Sequence, residues 1–205
     1  MNTVRHLSNA DPIMAKLIAR FGPTDLKPRR LLPFQALAKA IIYQQLSGAA
    51  ADTILKRFRG LFTVKTFPTP AQVMQLDVDR LRTAGLSRPK ANYIRDLAQK
   101  TSDGVVPTLR ECDRLTDAEL VERLTCIKGV GRWTVEMLLI FNLGRPDVLP
   151  VHDLGVRRGY QVAYRKRTEP TPEQLERYGL RWSPQRSTAA WYLWRAADGL
   201  ADGNW

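Results

Sequence analysis

The sequence predicts an all-α fold. Three observations carry that expectation: apolar residues recur at helical spacing between recognisable start and stop signals, no convincing segment alternates with period two, and the most organised stretch reads helix, glycine hairpin, helix. No fixed-length repeat or low-complexity tract interrupts the pattern, and about ten helices are expected.

Asp11-Pro12 supplies an N-cap and a proline at the first helical position, and Ile13, Met14, Leu17, Ile18 and Phe21 follow on one face until Gly22-Pro23. The basic stretch Lys27-Pro-Arg-Arg30 is a linker, either solvated or touching phosphate. Pro33 opens a helix with Phe34, Leu37, Ala38, Ile41 and Ile42 on one side, ending at Tyr43-Gln-Gln-Leu-Ser47. The Gln44 and Gln45 amides there either face water or find partners. After Gly48, a third helix carries Ala51, Ile54, Leu55 and Phe58 to Gly60. Thr69-Pro70 starts a short helix with Val73 and Leu76, and Leu81 anchors another that stops at Gly85. The loop Leu86-Ser-Arg-Pro-Lys90 then leads into a helix bearing Ala91, Ile94, Leu97 and Ala98.

Thr116-x-x-Glu119 is a capping box for a helix with Leu120, Val121 and Leu124 on its apolar side. Next comes Ile127-Lys-Gly-Val-Gly131, whose Gly129 and Gly131 permit positive φ and leave the backbone amides bare. Those amides open a second helix, almost all apolar from Val135 to Leu143, and a helix start favours an anion. The glycines read as an ordinary cap and packing pair or as an anion cradle rimmed by Lys128 and Arg132, for which a nucleic-acid phosphate is the natural occupant. Leu149-Pro-Val-His-Asp153 precedes another helix, with Arg157 and Arg158 adding basic surface. Thr171-Pro-Glu-Gln174 is a further capping start, and Ser183-Pro184 opens the last helix, with Ala190, Trp191, Leu193 and Trp194 on an aromatic-rich face.

The 205 residues suffice for one sizeable domain or two lobes sharing a core. At 44% hydrophobic and 25% charged, the composition argues against disorder. A formal net charge of +12 favours a polyanionic partner, nucleic acid before a membrane surface. Cys112 and Cys126 fit neither a disulfide framework nor a zinc spacing. The Met1-Asn-Thr-Val-Arg-His6 start lacks an apolar signal core and no run nears a membrane span, so an intracellular protein is expected.

Leu124-x-x-Ile-x-Gly-Val-Gly-Arg-Trp-Thr-Val-Glu136 followed by Leu149-Pro-Val-His-Asp-Leu-Gly-Val-Arg-Arg-Gly159 resembles the helix-hairpin-helix (HhH-GPD) DNA glycosylases, which end the motif in a Gly/Pro-rich loop and an aspartate. Within them it is most similar to the alkylpurine branch, of the DNA-3-methyladenine glycosylase II type. The resemblance runs from about Phe34 to Trp194. It implies a two-lobed helical fold in which about 34–132 forms a central lobe with the hairpin, 1–33 plus 133–205 a second lobe, and the catalytic cleft lies between them. It also implies no iron-sulfur cluster, because the cysteines that would hold one are missing after Asp153.

The resemblance assigns roles to particular residues. Asp153 alone reads as a helix N-cap; the family makes it the catalytic aspartate, and the two roles are compatible. A fixed carboxylate stabilises the positive charge that develops on the sugar as the glycosidic bond breaks. Trp133 reads as core or, by resemblance, as a face against the extruded base, with Trp194 as a second wall; a cationic alkylpurine on indole gains about 0.5 to 2 kcal/mol. Strand-nicking relatives carry a lysine at the Trp133 position, whose amine would form a Schiff base, so hydrolysis without strand cleavage is expected unless Lys128 or another amine substitutes. Met137 and Gly155 stand where the family has bulkier pocket residues, which implies a more open cavity. Gln44, Gln45, Ser47 and Gly48 match the segment near the minor groove and base pocket. In the loop Leu86–Lys90, whose two cations Arg88 and Lys90 are expected with Leu86 at the DNA, Arg88 aligns with the side chain that fills the vacated gap, while Leu86 as wedge and Arg88 as phosphate ligand stay open. The carbonyls of Thr125, Ile127 and Val130 match those that hold a monovalent cation, sodium or potassium; no other cofactor is implied.

The expected function is a monofunctional DNA glycosylase removing alkylated purines such as 3-methyladenine and 7-methylguanine, with ethenoadenine and hypoxanthine as further candidates, from duplex DNA by base flipping. A glycosylase for oxidised or mismatched bases and a non-catalytic DNA-binding module are the rivals. The protein is expected to act as a monomer, in the nucleoid or the nucleus according to its host.

Overall fold

The computed structural model describes residues 3–63 and 66–201; Met1 and Asn2, which begin the stretch read above for a signal core, lie outside them. Among the described residues there is no strand. The chain divides into two compact units, one formed by 3–29 with 139–201 and the other by 30–138. The second extends past the expected boundary at 132, because the helix opening at Arg132 packs against helix Asp117–Leu124. Trp133 and Met137 therefore belong with the hairpin.

In the unit formed by 3–29 with 139–201, helices Thr3–Ala10 and Pro12–Phe21 join Leu154–Ala163, Pro172–Gly179 and Arg186–Ala201. Its core centres on Leu7, Met14, Leu17, Val156, Trp182 and Leu193. Asp11 caps its helix as the sequence predicts, accepting from the Ile13 and Met14 amides at 2.9 and 3.4 Å. It is fully buried and also accepts from Tyr164 Oη at 2.6 Å and Trp182 Nε1 at 3.0 Å, which ties the beginning of the chain to its end. Burial, reinforced by the bond to Asp11 and its charge, pushes the Tyr164 phenol far above the ordinary tyrosine range.

The unit 30–138 packs helices Pro33–Tyr43, Pro70–Met74 and Val78–Arg82 against Arg88–Ser102. The expected faces are buried: Phe34, Leu37, Ala38, Ile41 and Ile42 on one helix, Ala91, Ile94, Leu97 and Ala98 on the other. The capping box at Thr116 forms, with its hydroxyl reached by the Glu119 amide and the Glu119 carboxylate accepting from the Thr116 amide at 2.7 Å.

Three expectations change. Helix Thr3–Ala10 forms without a sequence start signal, anchored by buried Leu7. The apolar run after Val135 is an α-helix only to Met137 and continues as a π-helix, Leu138–Leu143, a distinction that apolar spacing does not encode. The last helix begins at Arg186 and not at Ser183, because Ser183 Oγ and the Arg186 amide are both held by Asp147.

Candidate active site and nucleic-acid interface

The hairpin is built around Gly129. Its φ of 80° belongs to the left-handed region, and a Cβ there would lie 2.3 Å from Cδ2 of Tyr93, so the tyrosine ring underlies the turn and only glycine fits. Gly131 is the extended N-cap of helix Arg132–Met137, with nothing within 4 Å of a built Cβ. The Lys128 amide donates to Asp96 Oδ2 at 2.9 Å and the Val130 amide to the Ile127 carbonyl at 3.0 Å. Two of the expected anion-binding amides are thus engaged in shaping the turn, and the cradle starts at Gly129 and the helix opening. Lys128 is exposed; Arg132 is exposed too, but its Nε donates to the buried Glu136 carboxylate at 3.0 Å, which holds part of its charge on the protein.

The turn after Pro33–Tyr43 meets this hairpin. Gln44 Nε2 donates to the Gly129 carbonyl at 2.9 Å and reaches Thr134 Oγ1 at 3.4 Å, so one of the two amides finds partners. Gln45 is exposed with φ of 57°, a conformation that residues other than glycine rarely hold. Ser47 and Gly48 open helix Gly48–Gly60 with no side-chain cap, leaving its first amides at an exposed surface. In the following loop, Leu86 is only 4% exposed, which removes it as a projecting wedge. Arg88 is exposed and paired with Asp79 at 3.1 Å. Lys90 departs from the expected DNA contact: its Nζ donates to the Ile42 and Gln44 carbonyls at 2.8 and 2.6 Å.

Trp133 is 43% exposed, which rules out the core reading. Met137 is half-buried on the same short helix. Thr125, Ile127 and Val130 offer carbonyl oxygens, donors that suit a hard cation. The Ile127 carbonyl accepts from the Val130 amide and keeps a second lone pair.

The other unit carries the carboxylate. Asp153 caps helix Leu154–Ala163, its Oδ1 accepting from the Val156 amide at 2.8 Å, so the cap reading holds. The same oxygen accepts from Trp194 Nε1 at 2.8 Å, and the Trp194 ring lies 5.4 Å, centroid to centroid, from Phe141. Gly155 sits under this pair: a Cβ would be 2.9 Å from Trp194 Cδ1 and 3.1 Å from Asp153 Oδ1. One helical turn on, a Cβ at Gly159 would lie 1.9 Å from the Leu193 carbonyl oxygen, so the two helices cross with backbones in contact. That crossing sets Trp194 beside Asp153.

The loop before Asp153 is anchored by Asp147, which pairs with Arg186 through Nε at 2.8 Å and Nη2 at 2.9 Å. Ser187 Oγ accepts from the Val148 amide at 3.0 Å and donates to the Arg145 carbonyl at 2.6 Å. Burial raises the Asp147 carboxyl, but the hydrogen bonds from Arg186 and Ser183 outweigh it and hold the group below the usual carboxylate range.

Among the residues picked from sequence, Asp153, Gly155 and Trp194 come together in one unit; Gln44, Lys90, Gly129 and the hairpin come together in the other. Sequence reasoning missed Phe141, Tyr93, Asp96 and the Asp147–Arg186 clamp. Only Gly159 left a usable signal, a second small residue one helical turn after Gly155. One unit thus holds an acid fixed beside an indole, and the other, by itself, a cation-rimmed run of backbone amides.

The sequence pattern of the HhH-GPD superfamily base excision DNA repair proteins matches residues 38–185. DNA-3-methyladenine glycosylase 1 of Schizosaccharomyces pombe is 40% identical over 201 residues, covering 96% of this chain and 87% of that protein. The solved structure of a 3-methyladenine DNA glycosylase from the same yeast, in complex with abasic DNA, is 38% identical, covers 95% of this chain and 96% of its own, and superposes with a TM-score of 0.86. A DNA-3-methyladenine glycosidase from Bacillus halodurans gives 34% identity, coverage of 98% and 92%, and a TM-score of 0.87. The chain belongs to the HhH-GPD superfamily of base excision DNA repair proteins.

Proposed function

We propose that this protein is a monofunctional DNA glycosylase that hydrolyses the N-glycosidic bond of alkylated purines in duplex DNA, 3-methyladenine and 7-methylguanine foremost, with ethenoadenine and hypoxanthine as further substrates. The observation that carries the reading is Asp153, held by the Val156 amide and by the Trp194 indole. A carboxylate fixed in this way needs no reorganisation as the sugar becomes cationic, which is where electrostatic stabilisation is most effective. An acid at a helix N-terminus suits this stabilising role, or orientation of the attacking water, better than proton donation. 3-Methyladenine and 7-methylguanine carry positive charge while bound to the sugar and leave readily, so these two require no separate acid.

The base must be turned out of the duplex to be reached. The exposed ring of Trp133 offers it a stacking face, and an indole at this position has no amine with which to form a Schiff base. Exposed Lys128, the amides of Gly129 and of the helix opening at Gly131, and the uncapped start at Ser47 and Gly48 would bind phosphate. The Thr125, Ile127 and Val130 carbonyls would hold a monovalent cation, which supplies charge neutralisation beside a phosphate when bound. Among the described residues no helix is long and apolar enough to cross a membrane. The place of action is wherever the DNA is, nucleoid or nucleus.

The test uses a duplex carrying a single 7-methylguanine or 3-methyladenine. The expected result is release of the base, strand breaks only after alkali, and no covalent complex on borohydride treatment. Binding without release would point to a non-catalytic module, and strand breaks without alkali would overturn the monofunctional reading.

A further inference from the structure

We propose that Lys90 is a positioning residue: its ammonium fastens the end of helix Pro33–Tyr43 to the start of helix Arg88–Ser102 and so sets Gln44 against the hairpin, instead of contacting phosphate. The residue was picked from sequence as one of two loop cations beside a DNA-binding surface. Its environment assigns the charge elsewhere. Nζ donates to the Ile42 carbonyl at 2.8 Å and the Gln44 carbonyl at 2.6 Å, at the helix end where carbonyls are left over and the dipole is negative. Two of its three donors are thus engaged within the protein. Desolvation lowers Lys90 from the ordinary lysine value, in keeping with an ammonium drawn into the fold. Arg88, on the same loop, is 60% exposed at its side chain and Lys128 is exposed; these are the cations that face solvent.

The consequence reaches the hairpin through consecutive contacts in one unit. Lys90 holds the Gln44 backbone, and the Gln44 side chain donates to the Gly129 carbonyl at 2.9 Å. The next residue, Gln45, is kept at φ of 57°. A left-handed glutamine persists only where its surroundings enforce it, and the Lys90 bonds are an enforcing contact at the adjoining residue. Removing the ammonium should therefore disturb how an extruded nucleotide is met, and leave the count of phosphate contacts unchanged.

The inference deepens the proposed function and rests on it for the rate measurement alone. Lys90→Met is compared with Lys128→Gln on a duplex carrying a tetrahydrofuran abasic analogue for affinity and one carrying 7-methylguanine for single-turnover release. Lys128→Gln should reduce the slope of log Kd against log salt by about 1, as loss of one phosphate contact does. Lys90→Met should keep the wild-type slope and slow release at saturating DNA by about 10- to 100-fold, with no further loss when combined with Gln44→Ala. A slope reduced by about 1 with an unchanged rate, or losses that add to those of Gln44→Ala, would overturn the assignment. A measurement on the wild-type protein covers the case in which the variant does not fold: reductive methylation read by mass spectrometry, with and without duplex. Lys90 should resist modification in both states. Modification at the rate of Lys128 in the free protein, suppressed by DNA, would overturn the proposal. Absence of base release from the wild type would sink the glycosylase reading and leave the methylation pattern to decide Lys90.

Discussion

Trp194 and Asp153 share one hydrogen bond, indole Nε1 to carboxylate Oδ1 at 2.8 Å, and the Val156 amide reaches the same oxygen at an equal distance. Two donors on one oxygen fix the rotation of the carboxylate about its side-chain bonds. The indole is itself held by Phe141 and by the backbone crossing at Gly159. An acid oriented this firmly serves two purposes, one for the fold and one for the reaction, and substitutions separate them.

Asp153→Asn keeps an oxygen able to accept from both donors, and asparagine is as good an N-cap as aspartate. The thermal midpoint should stay close to wild type. The negative charge is gone, and base release should fall by about 100-fold or more, the scale seen when a preorganised electrostatic group is removed. Single-turnover release and circular dichroism on the same preparation check both halves; activity within a few-fold of wild type would remove Asp153 from the mechanism.

Trp194→Phe retains a flat ring against Phe141 and deletes the donor. A hydrogen bond to a charged acceptor contributes about 1.5–3 kcal/mol, and partial exposure of both side chains brings the expectation to the lower end. About a ten-fold loss in release follows from roughly 1.4 kcal/mol. Asp153→Asn and Trp194→Phe together should be no slower than Asp153→Asn alone. Additive losses would show that the indole acts independently of the acid.

Helix starts were legible in the sequence at several side chains that make their own local bond: Asp11, Thr69, Thr116 and Thr171 cap as read, while the capping box at Thr108 was missed. Local chemistry of this kind needs no knowledge of the fold. The partners of Lys90, Ile42 and Gln44, were not legible because they are distant in sequence, and a lysine looks the same in a sequence whether its target is phosphate or carbonyl. The π-helix was illegible for another reason: a run that is apolar except for Asn142 carries no phase from which a change of hydrogen-bond step could be seen. The catalytic candidate was legible as a position, whereas its orientation by Trp194 depended on a helix crossing that only Gly155 and Gly159 hinted at.

Gly129 and Gly131 look equivalent in the motif and should respond differently. Gly129→Ala forces an alanine to φ of 80° and drives its Cβ to within 2.3 Å of the Tyr93 ring. The backbone penalty of about 1–2 kcal/mol and an overpacking cost of about 1–3 kcal/mol make a loss of about 2–4 kcal/mol the expectation in urea unfolding. Gly131→Ala has an extended backbone and open space, so its loss should be limited to the cost of alanine at an N-cap, about 1 kcal/mol or less. Equal destabilisation by the two would contradict the described packing of Tyr93.

The Asp147–Arg186 clamp makes a prediction about pH. The folded protein holds the Asp147 carboxyl below its usual range, because the Arg186 and Ser183 bonds outweigh burial. A carboxyl depressed in the folded state is protonated more readily in the unfolded chain, so stability rises with pH through this window. The contribution is complete above the ordinary aspartate value of about 3.9 and is lost as pH falls towards and through the folded value. Urea unfolding of wild type and Asp147→Asn between neutral pH and pH 3 should show the largest gap near neutrality and convergence in acid. Because the clamp anchors the loop that ends at Asp153, release by Asp147→Asn at neutral pH should fall as well. A stability gap that widens in acid would reverse the sign and show that Asp147 is not the group held low by Arg186.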